Sequence, residues 1–232
     1  MHIRRKTVLV WLFGWLVFFA NPSVAVDKAV LDLTLSQSGW NELELPGKSP
    51  NRFQQIDGST ISVHSSASVS VLYRALQSHE VRARNLTWRW RVDESVPPTD
   101  PADKGGDDRN LAVHVWFADE NVGLWKSLKS TVTRALGYPQ IGKVLTYTFG
   151  GTGDRLRRLV NPHHDPDGMI ILLRPSGTPL DKWYSERVDF YADYEQAFGE
   201  PPTAPRYLAI SSDSDDTQTR AQGLIADLAF DD

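Results

Sequence analysis

The stretch LTWRWRVD, residues Leu86–Asp93, alternates large apolar side chains with polar ones at every step. Successive side chains of a β-strand point to opposite faces, so this period of two predicts a strand with one buried face. One face carries Leu86, Trp88, Trp90 and Val92, and the other carries Thr87, Arg89, Arg91 and Asp93. Because the tryptophans alternate in phase with aliphatic residues, we interpret them as core. A sugar-stacking platform, the alternative, would leave its indoles exposed among polar neighbours.

Similar segments, separated by Gly, Pro, Asn and Ser, extend along the rest of the chain. The further predicted strands are Trp40–Pro46, Phe53–Asp57, Thr60–Ser65, Val69–Leu76, Asn110–Asp119, Val144–Gly150, Met169–Pro175, Arg206–Asp213 and Gly223–Phe230. Short strands without alternating helices predict an all-β, mainly antiparallel, jelly-roll-like β-sandwich. We expect one domain over residues 26–232 with one or two short helices. The helical segments are residues 124–137 and a stretch within Ser185–Pro202 that ends before Gly199.

The first 25 residues have the pattern of a secretory signal peptide. Three basic residues at positions 4–6 precede the apolar run Thr7–Ala20, and Ser23 and Ala25 are small enough for a cleavage site. The apolar run has 14 residues, fewer than the roughly 20 that span a bilayer as a helix. We therefore expect cleavage near Ala25 and a periplasmic or secreted protein that is not an integral membrane protein after cleavage. An uncleaved membrane anchor is the alternative.

Charge and cysteine content narrow the classes of partner. The sequence carries a net charge of −4, and removal of residues 1–25 with their three basic side chains changes it to −7. Nucleic acids and anionic membrane surfaces bind basic surfaces, so we expect neither as the main partner. The sequence has no cysteine and hence neither disulfides nor thiol chemistry.

Two neighbouring strands predict a polar face that could bind a ligand. In residues 109–118, Arg109, Leu111, Val113, Val115 and Phe117 are expected to point inward and Asn110, Ala112, His114, Trp116 and Ala118 outward. If this strand shares a sheet with Leu86–Asp93, then Arg89, Arg91, Asn110, His114 and Trp116 line one face, with the turn Asp107, Asp108 and Arg109 at its mouth. Guanidinium groups bind carboxylates in bidentate fashion, so the face suits an acidic or neutral glycan. A solvated face with incidental ion pairs is the alternative.

The segment SSDSDDTQT, Ser211–Thr219, is the densest cluster of oxygen ligands. Asp213, Asp215, Asp216 and the Thr217 hydroxyl could hold a structural Ca²⁺, which prefers six to eight oxygen ligands. The spacing is not that of an EF-hand, and Asp227 in the last predicted strand could complete the site or pair with an arginine. The alternative is a solvated loop whose aspartates bind neighbouring main-chain N–H groups.

The segment NPHHDPDGM, Asn161–Met169, places His163 and His164 beside two aspartates. No third ligand at zinc-like spacing lies nearby, and the D-P and D-G pairs mark turns. We interpret this segment as an exposed loop.

Several separated motifs resemble an uncharacterised, mostly exported bacterial family, domain of unknown function 3047. They are LTWRWRVD, GGDDRNLAVHVWF, VLTYTFGG and the block from DKWYSERVDFYADYEQAFG to the last strand. The matching positions are Trp88, Trp90, Arg91, Val92, Asp107, Asp108, Arg109, Trp183, Arg187, Val188, Asp193, Tyr194, Phe198, Gly199, Asp213, Asp215, Asp216, Thr217 and Asp227. The resemblance covers the chain from about Trp40 onward, and residues 120–140 depart from it. It implies no activity, and its strand pattern is similar in architecture to jelly-roll carbohydrate-binding modules.

The sequence favours a non-catalytic binding module for a glycan or other polar small ligand. A polysaccharide hydrolase or lyase is the second hypothesis, with Asp107, Asp108, Asp189 and Asp193 as the available carboxylates. An envelope structural protein with a protein partner is the third.

Overall fold

The computed structural model describes residues 32–118, 139 and 141–232, which form two β-sheets packed face to face. The signal peptide predicted at 1–25 and the helix predicted at 124–137 lie outside these residues. Within the described ranges, no helix is long and apolar enough to cross a membrane. The elements are α1 (Leu33–Gln37), β1 (Asn41–Glu44), β2 (Arg52–Gln55), β3 (Thr60–Ser66), β4 (Val69–Ala75), a 3₁₀ turn (Glu80–Arg82), β5 (Asn85–Glu94), β6 (Arg109–Phe117), β7 (Val144–Phe149), β8 (Arg158–Val160), β9 (Gly168–Arg174), β10 (Tyr184–Asp189), α2 (Phe190–Phe198), β11 (Pro205–Asp213) and β12 (Arg220–Asp231).

The strand order is that of a sandwich. One sheet has seven strands in the order β1-β4-β11-β6-β7-β9-β8, and the other has five in the order β10-β5-β12-β3-β2. Among the described strands, β7 and β9 pair in parallel and the other neighbours pair antiparallel. This order confirms the predicted all-β, mainly antiparallel, jelly-roll-like sandwich with short helices.

Alternating side chains of β5 and β6 fill the space between the sheets. Trp88 and Trp90 are fully buried, with their rings perpendicular and 5.3 Å apart. Trp88 contacts Tyr147 across the core at 5.8 Å, and Trp90 contacts Phe149 at 5.6 Å. Both indoles are core, as their phase with Leu86 and Val92 predicts.

The ten predicted strands are confirmed, and two further strands were not predicted. β8 has three residues at the edge of its sheet, too few to show a period. β10 lies in the segment where only a helix was expected. Asp189 ends β10 and caps α2, because its carboxylate accepts from the main-chain N–H groups of Tyr191 and Ala192. The helix ends at Gly199, whose φ of 68° is the left-handed conformation of a C-terminal cap.

Candidate functional site

Four connections between the sheets meet at one end of the sandwich. They are residues 45–51 between β1 and β2, 67–68 between β3 and β4, 95–108 between β5 and β6, and 214–219 between β11 and β12. At this end Asp213 pairs with Val69 of β4 and with Arg109 of β6. A β-bulge between Ser211 and Asp213 shifts the register there, as bulges near sites often do. The two acidic motifs, far apart in sequence, therefore become neighbours.

Arg109 is the largely buried cation at this end. Its Nη1 donates to the main-chain oxygen of Asp107 over 2.9 Å. The same nitrogen lies 3.4 Å from Asp213 Oδ2 and 3.6 Å from Asp107 Oδ2. The Nε atom is buried and finds no acceptor among the residues that the structure describes. One guanidinium therefore serves two carboxyl groups and keeps one donor unused.

Asp213 and Asp215, both beside Arg109, have pKa values shifted in opposite directions. Burial, together with hydrogen bonding to Asp215, raises the pKa of Asp213 to about 9 against the opposing charge of Arg109. At Asp215 burial acts in the same direction, but hydrogen bonds from Asp213 and Lys48 outweigh it, so its pKa is lowered. A neutral Asp213 therefore donates to an ionised Asp215, which also pairs with Lys48. An ionised Asp213 would leave its Oδ1 without a donor in the described part of the chain.

Asp108 fastens the loop between β11 and β12. Its carboxylate accepts from the Thr217 N–H at 2.8 Å, the Thr217 hydroxyl at 2.5 Å and the Asp216 N–H at 3.3 Å. Carboxylate oxygens of Asp108, Asp215 and Asp216 lie within 4.8 Å of one another, so this cluster could hold a metal ion. Of the four predicted metal ligands, Asp215 and Asp216 belong to this cluster. Asp213 instead faces Arg109, and the Thr217 hydroxyl donates to Asp108.

A cavity of about 240 Å³ opens beside these groups, and we refer to it as the Arg109 cavity. Its charged wall is formed by Lys48, Asp107, Arg109, Asp213, Asp215 and Asp216. Leu45, Val69 and Val71 form an apolar wall. His163, from the loop between β8 and β9, also lines it and places Nε2 3.1 Å from Asp107 Oδ1. The cavity thus combines an apolar surface with hydrogen-bond donors and acceptors.

Buried polar side chains hold the ends of the strands beneath the cavity. The Asn51 amide donates to the main-chain oxygens of Ser70 and Ser212, at 3.1 and 2.8 Å. The Ser68 hydroxyl donates to Asn51 Oδ1, and the hydroxyls of Ser65 and Ser214 lie 2.6 Å apart. Such a satisfied network fixes the connections that carry the charged wall.

The prediction of one ligand-binding face shared by β5 and β6 is wrong. The two strands lie in different sheets, because the long connection 95–108 crosses the sandwich. Arg89 and Arg91 lie on the outer face of the five-stranded sheet, whereas His114 and Trp116 lie on the outer face of the seven-stranded sheet. The predicted alternation also fails at its start: Arg109 lines the cavity, and Asn110 is buried and accepts from the Val96 N–H.

His114 and Trp116 are buried, with 6% and 4% of their surface exposed. The imidazole lies between hydroxyls, with Nδ1 3.0 Å from Thr146 Oγ1 and Nε2 2.9 Å from Ser211 Oγ. Burial, with the charge of Arg109, lowers the pKa of His114 to about 3, so the ring is neutral. Neither side chain presents the open polar surface expected from the sequence.

In the structure, the turn of Asp107, Asp108 and Arg109 lies beside the loop that was predicted to bind metal. Lys48 and His163 were not predicted at this site. Lys48 lies in a Gly-Lys-Ser-Pro turn, and the His163 loop was interpreted only as exposed. Neither residue had a local signal. Lys48 reaches the cavity through the connection between β1 and β2, which crosses between the sheets, and His163 through the loop between the paired strands β8 and β9.

The raised pKa of Asp213 predicts that the stability of the protein depends on pH. The unfolded-state pKa of an Asp is about 3.9. A carboxyl group whose pKa is higher in the folded state contributes its full stabilisation below the unfolded-state pKa, and this contribution is lost as the pH rises through the folded-state pKa. We expect the melting temperature of Asp213→Asn to rise relative to that of wild type between about pH 5 and pH 9. Melting curves of both proteins over this range measure the difference. If Asp213→Asn is less stable than wild type at neutral pH, and the difference in melting temperature stays constant at higher pH, Asp213 is ionised in the folded state.

A comparison with known protein families assigns the chain to one of them. The model of a protein family of unknown function, DUF3047, matches residues 38–229. The chain belongs to this family. The matched range of the DUF3047 chain includes every residue named in the Arg109 cavity. No curated protein has a significant sequence match to it.

Several solved structures have a coarse likeness to the DUF3047 chain. The xyloglucanase domain of NopAA, a type three effector from Sinorhizobium fredii in complex with cellobiose, is 9% identical, with a TM-score of 0.44 and coverage of 83% of this chain and 93% of that one. A family 12 xyloglucanase from Bacillus licheniformis is 8% identical, with a TM-score of 0.41 and coverage of 83% and 86%. Endoglucanase 3 of Trichoderma harzianum, from family GH12, is 10% identical, with a TM-score of 0.40 and coverage of 82% and 88%. All three scores lie below 0.5, and the fold assignment rests on the strand order of the chain itself.

Proposed function

We propose that the chain is a non-catalytic binding module that holds a sugar ring, or the end of a glycan, in the Arg109 cavity. The observation that carries this proposal is a cavity that combines an apolar wall with hydrogen-bond donors and acceptors. Lys48 and Arg109 supply donors around this space, and Asp107 and Asp216 supply acceptors. A sugar hydroxyl both donates and accepts, so one class of ligand can use both kinds of group.

The size and the walls of the cavity agree with this ligand. At about 240 Å³ the cavity is smaller than sites for drug-sized ligands, which measure about 300–1,000 Å³. A sugar ring has an apolar face and a hydroxylated edge. Leu45, Val69 and Val71 offer the apolar contact, and the charged wall opposite offers the hydrogen bonds.

The charges of the wall favour an uncharged or cationic sugar. Asp107, Asp213, Asp215 and Asp216 face Lys48 and Arg109, so carboxyl groups outnumber the permanent cations. A uronic acid would add a further carboxylate to this wall. The arginines that suggested an acidic glycan, Arg89 and Arg91, lie on the other sheet.

A glycoside hydrolase is the second candidate, since the neutral Asp213 beside an ionised Asp215 resembles an acid and base pair. These two groups are hydrogen-bonded, however, whereas glycoside hydrolysis uses carboxyl groups about 5–10 Å apart around the bond. The other candidate carboxylates form hydrogen bonds that stabilise the fold. Asp108 binds the 214–219 loop, Asp189 caps α2, and Asp193 accepts from Tyr147 and Arg158. A binding role therefore accounts for the site better than catalysis.

Thermal unfolding of the purified protein with defined oligosaccharides tests this proposal. The probes are cellotetraose, which is neutral, the chitosan tetramer, which is cationic, and trigalacturonate, which is anionic. A ligand that binds only the folded state raises the melting temperature by mass action, by an amount equivalent to about 2.7 kcal/mol at one hundred times its dissociation constant. We expect a rise with the neutral or cationic probe, which Asp107→Asn reduces and the exposed Asp154→Asn leaves unchanged.

Three outcomes would contradict the proposal. They are a rise with trigalacturonate alone, no rise with any probe, and a full rise in the Asp107→Asn variant. Chromatography of the same mixtures detects cleavage, and products that disappear in Asp213→Asn would establish the hydrolase instead.

We also propose that the cluster of Asp108, Asp215 and Asp216 takes Ca²⁺ as a structural ion. Burial, with the charges of Asp215 and Asp108, raises the pKa of Asp216, and a divalent cation would relieve this repulsion. Lys48 already neutralises part of the cluster through Asp215 and therefore competes with the ion.

Replacement of Lys48 with Gln should strengthen calcium binding. The variant removes the competing ammonium group and leaves the three carboxylates in place. We expect a larger rise in melting temperature on addition of Ca²⁺ to Lys48→Gln than to wild type, and a smaller one in Asp216→Asn. Lys182→Gln, outside the cavity, is the matched control. Equal melting temperatures with Ca²⁺ and with chelator, in wild type and in Lys48→Gln alike, would show that the cluster does not bind Ca²⁺.

A further inference from the structure

An exposed indole lies on the outer face of the five-stranded sheet. Trp183 immediately precedes β10, whose first residue, Tyr184, pairs with Trp90 of β5. It keeps 37% of its surface exposed, although tryptophan usually lies mostly buried. The guanidinium carbons of Arg89 and Arg91 lie 5.0 and 5.5 Å from its ring centroid. The outward face of β5 thus supports an aromatic ring, which we call the Trp183 platform.

Carboxylates fix both arginines of the platform. Arg89 Nε donates to Asp227 Oδ2 over 2.6 Å, and Asp227 lies in a β-bulge of β12 with a φ of 55°. Arg91 donates to both carboxylate oxygens of Asp93, at 2.7 and 3.0 Å. The hydrogen bond from Arg89 is the main cause that lowers the pKa of Asp227, so this pair stays charged above acidic pH. Because the arginines are held in place, the indole can bind with little loss of side-chain freedom.

The charges on the platform favour an uncharged partner. Two guanidinium groups are matched by two carboxylates, so the surface offers hydrogen bonds without a net charge to attract an ionic polymer. A stable protein interface buries about 800 Å² on each partner, far more than one indole provides. A sugar ring of a neutral polysaccharide fits, since its apolar face can stack on the indole while its hydroxyls meet the paired charges.

We propose that Trp183, supported by Arg89 and Arg91, is a surface binding site for a neutral polysaccharide chain. This site is separate from the Arg109 cavity, which lies at the end of the sandwich against β4, β6 and β11. The open sheet surface suits the middle of a chain, whereas the small cavity suits one ring or a chain end. The inference stands without a ligand in the cavity.

Native electrophoresis in gels that contain hydroxyethylcellulose, xylan or anionic carboxymethylcellulose tests the platform. We expect a neutral polysaccharide to retard the purified protein and Trp183→Ala to weaken binding roughly tenfold, as loss of one aromatic contact would. Trp183→Phe should retain part of the retardation. Leu156→Ala, which truncates another exposed apolar side chain, is the matched control.

Asp107→Asn separates this site from the cavity and should leave the retardation unchanged. The platform is contradicted if neither neutral polysaccharide retards the protein, or if Trp183→Ala is retarded as strongly as wild type. Retardation lost in Asp107→Asn but kept in Trp183→Ala would likewise assign chain binding to the cavity. Melting curves of Trp183→Ala serve as the control that the variant is folded.

Discussion

Replacement of Arg109 with Met should lower the free energy of unfolding by about 3–5 kcal/mol, the usual effect of removing one partner from a buried ionic group. Met has a similar length, so the variant removes charge and hydrogen bonds and keeps most of the volume. Arg109 lies between Asp107 and Asp213, and without it these acids face one another with no buried cation between them. Urea denaturation at neutral pH measures the loss.

A second substitution shows whether charge causes the loss. Arg109→Met combined with Asp107→Asn should lose less than the sum of the two single variants, because the uncompensated carboxylate is gone. Arg187→Met, which breaks an exposed ion pair with Asp231, is the matched control, with an expected effect of at most about 1 kcal/mol. Equal losses in Arg109→Met and Arg187→Met would mean that Arg109 does not hold the acidic groups together.

Replacement of Trp90 with Ala should lower the free energy of unfolding by about 3–5 kcal/mol. The indole is fully buried, packs against Trp88 and Phe149, and donates from Nε1 to Glu186 Oε1 over 3.1 Å. Its loss leaves a cavity between the sheets and removes one donor to a buried carboxylate. Urea denaturation followed by circular dichroism measures the change.

Two other tryptophans serve as controls for this prediction. Trp183→Ala, at the surface, should lose less than about 1 kcal/mol. Trp90→Phe should lose more than Trp88→Phe, since Trp88 Nε1 has no acceptor in the described residues and a phenyl ring forfeits no hydrogen bond there. A Trp90→Ala variant as stable as Trp183→Ala would contradict the assignment of Trp90 to the core.

The strands of this fold are predictable because their signal is local. Alternation identified β5 and the burial of Trp88 and Trp90, since a period of two needs only a few residues. The placement of β5 and β6 in different sheets has no local signal. It depends on the connection 95–108, which crosses from one sheet to the other. The prediction that β5 and β6 share a face is wrong for that reason.

The site was predictable in pieces. The sequence predicts the DDR turn at 107–109 as part of a ligand site and the acidic loop after β11 as a metal site. That they form one cluster depends on the bulge beside Asp213 and on strand pairing across more than 100 positions of sequence. Trp183 was matched within a family motif, but its exposure depends on the arginines of a distant strand.

The most direct test of the Arg109 cavity is the ¹H–¹⁵N spectrum of the protein during titration with cellotetraose and with the chitosan tetramer. The Arg109 Nε–H signal is the reporter, because the Arg109 side chain lines the cavity and its Nε is buried without an acceptor in the described part of the chain. We predict that one of the two sugars shifts this signal saturably, together with the main-chain amides of Gly105 and Asp215. Titrations that leave the Arg109 Nε–H unmoved, or that shift only signals around Trp183, would contradict a sugar site in the cavity.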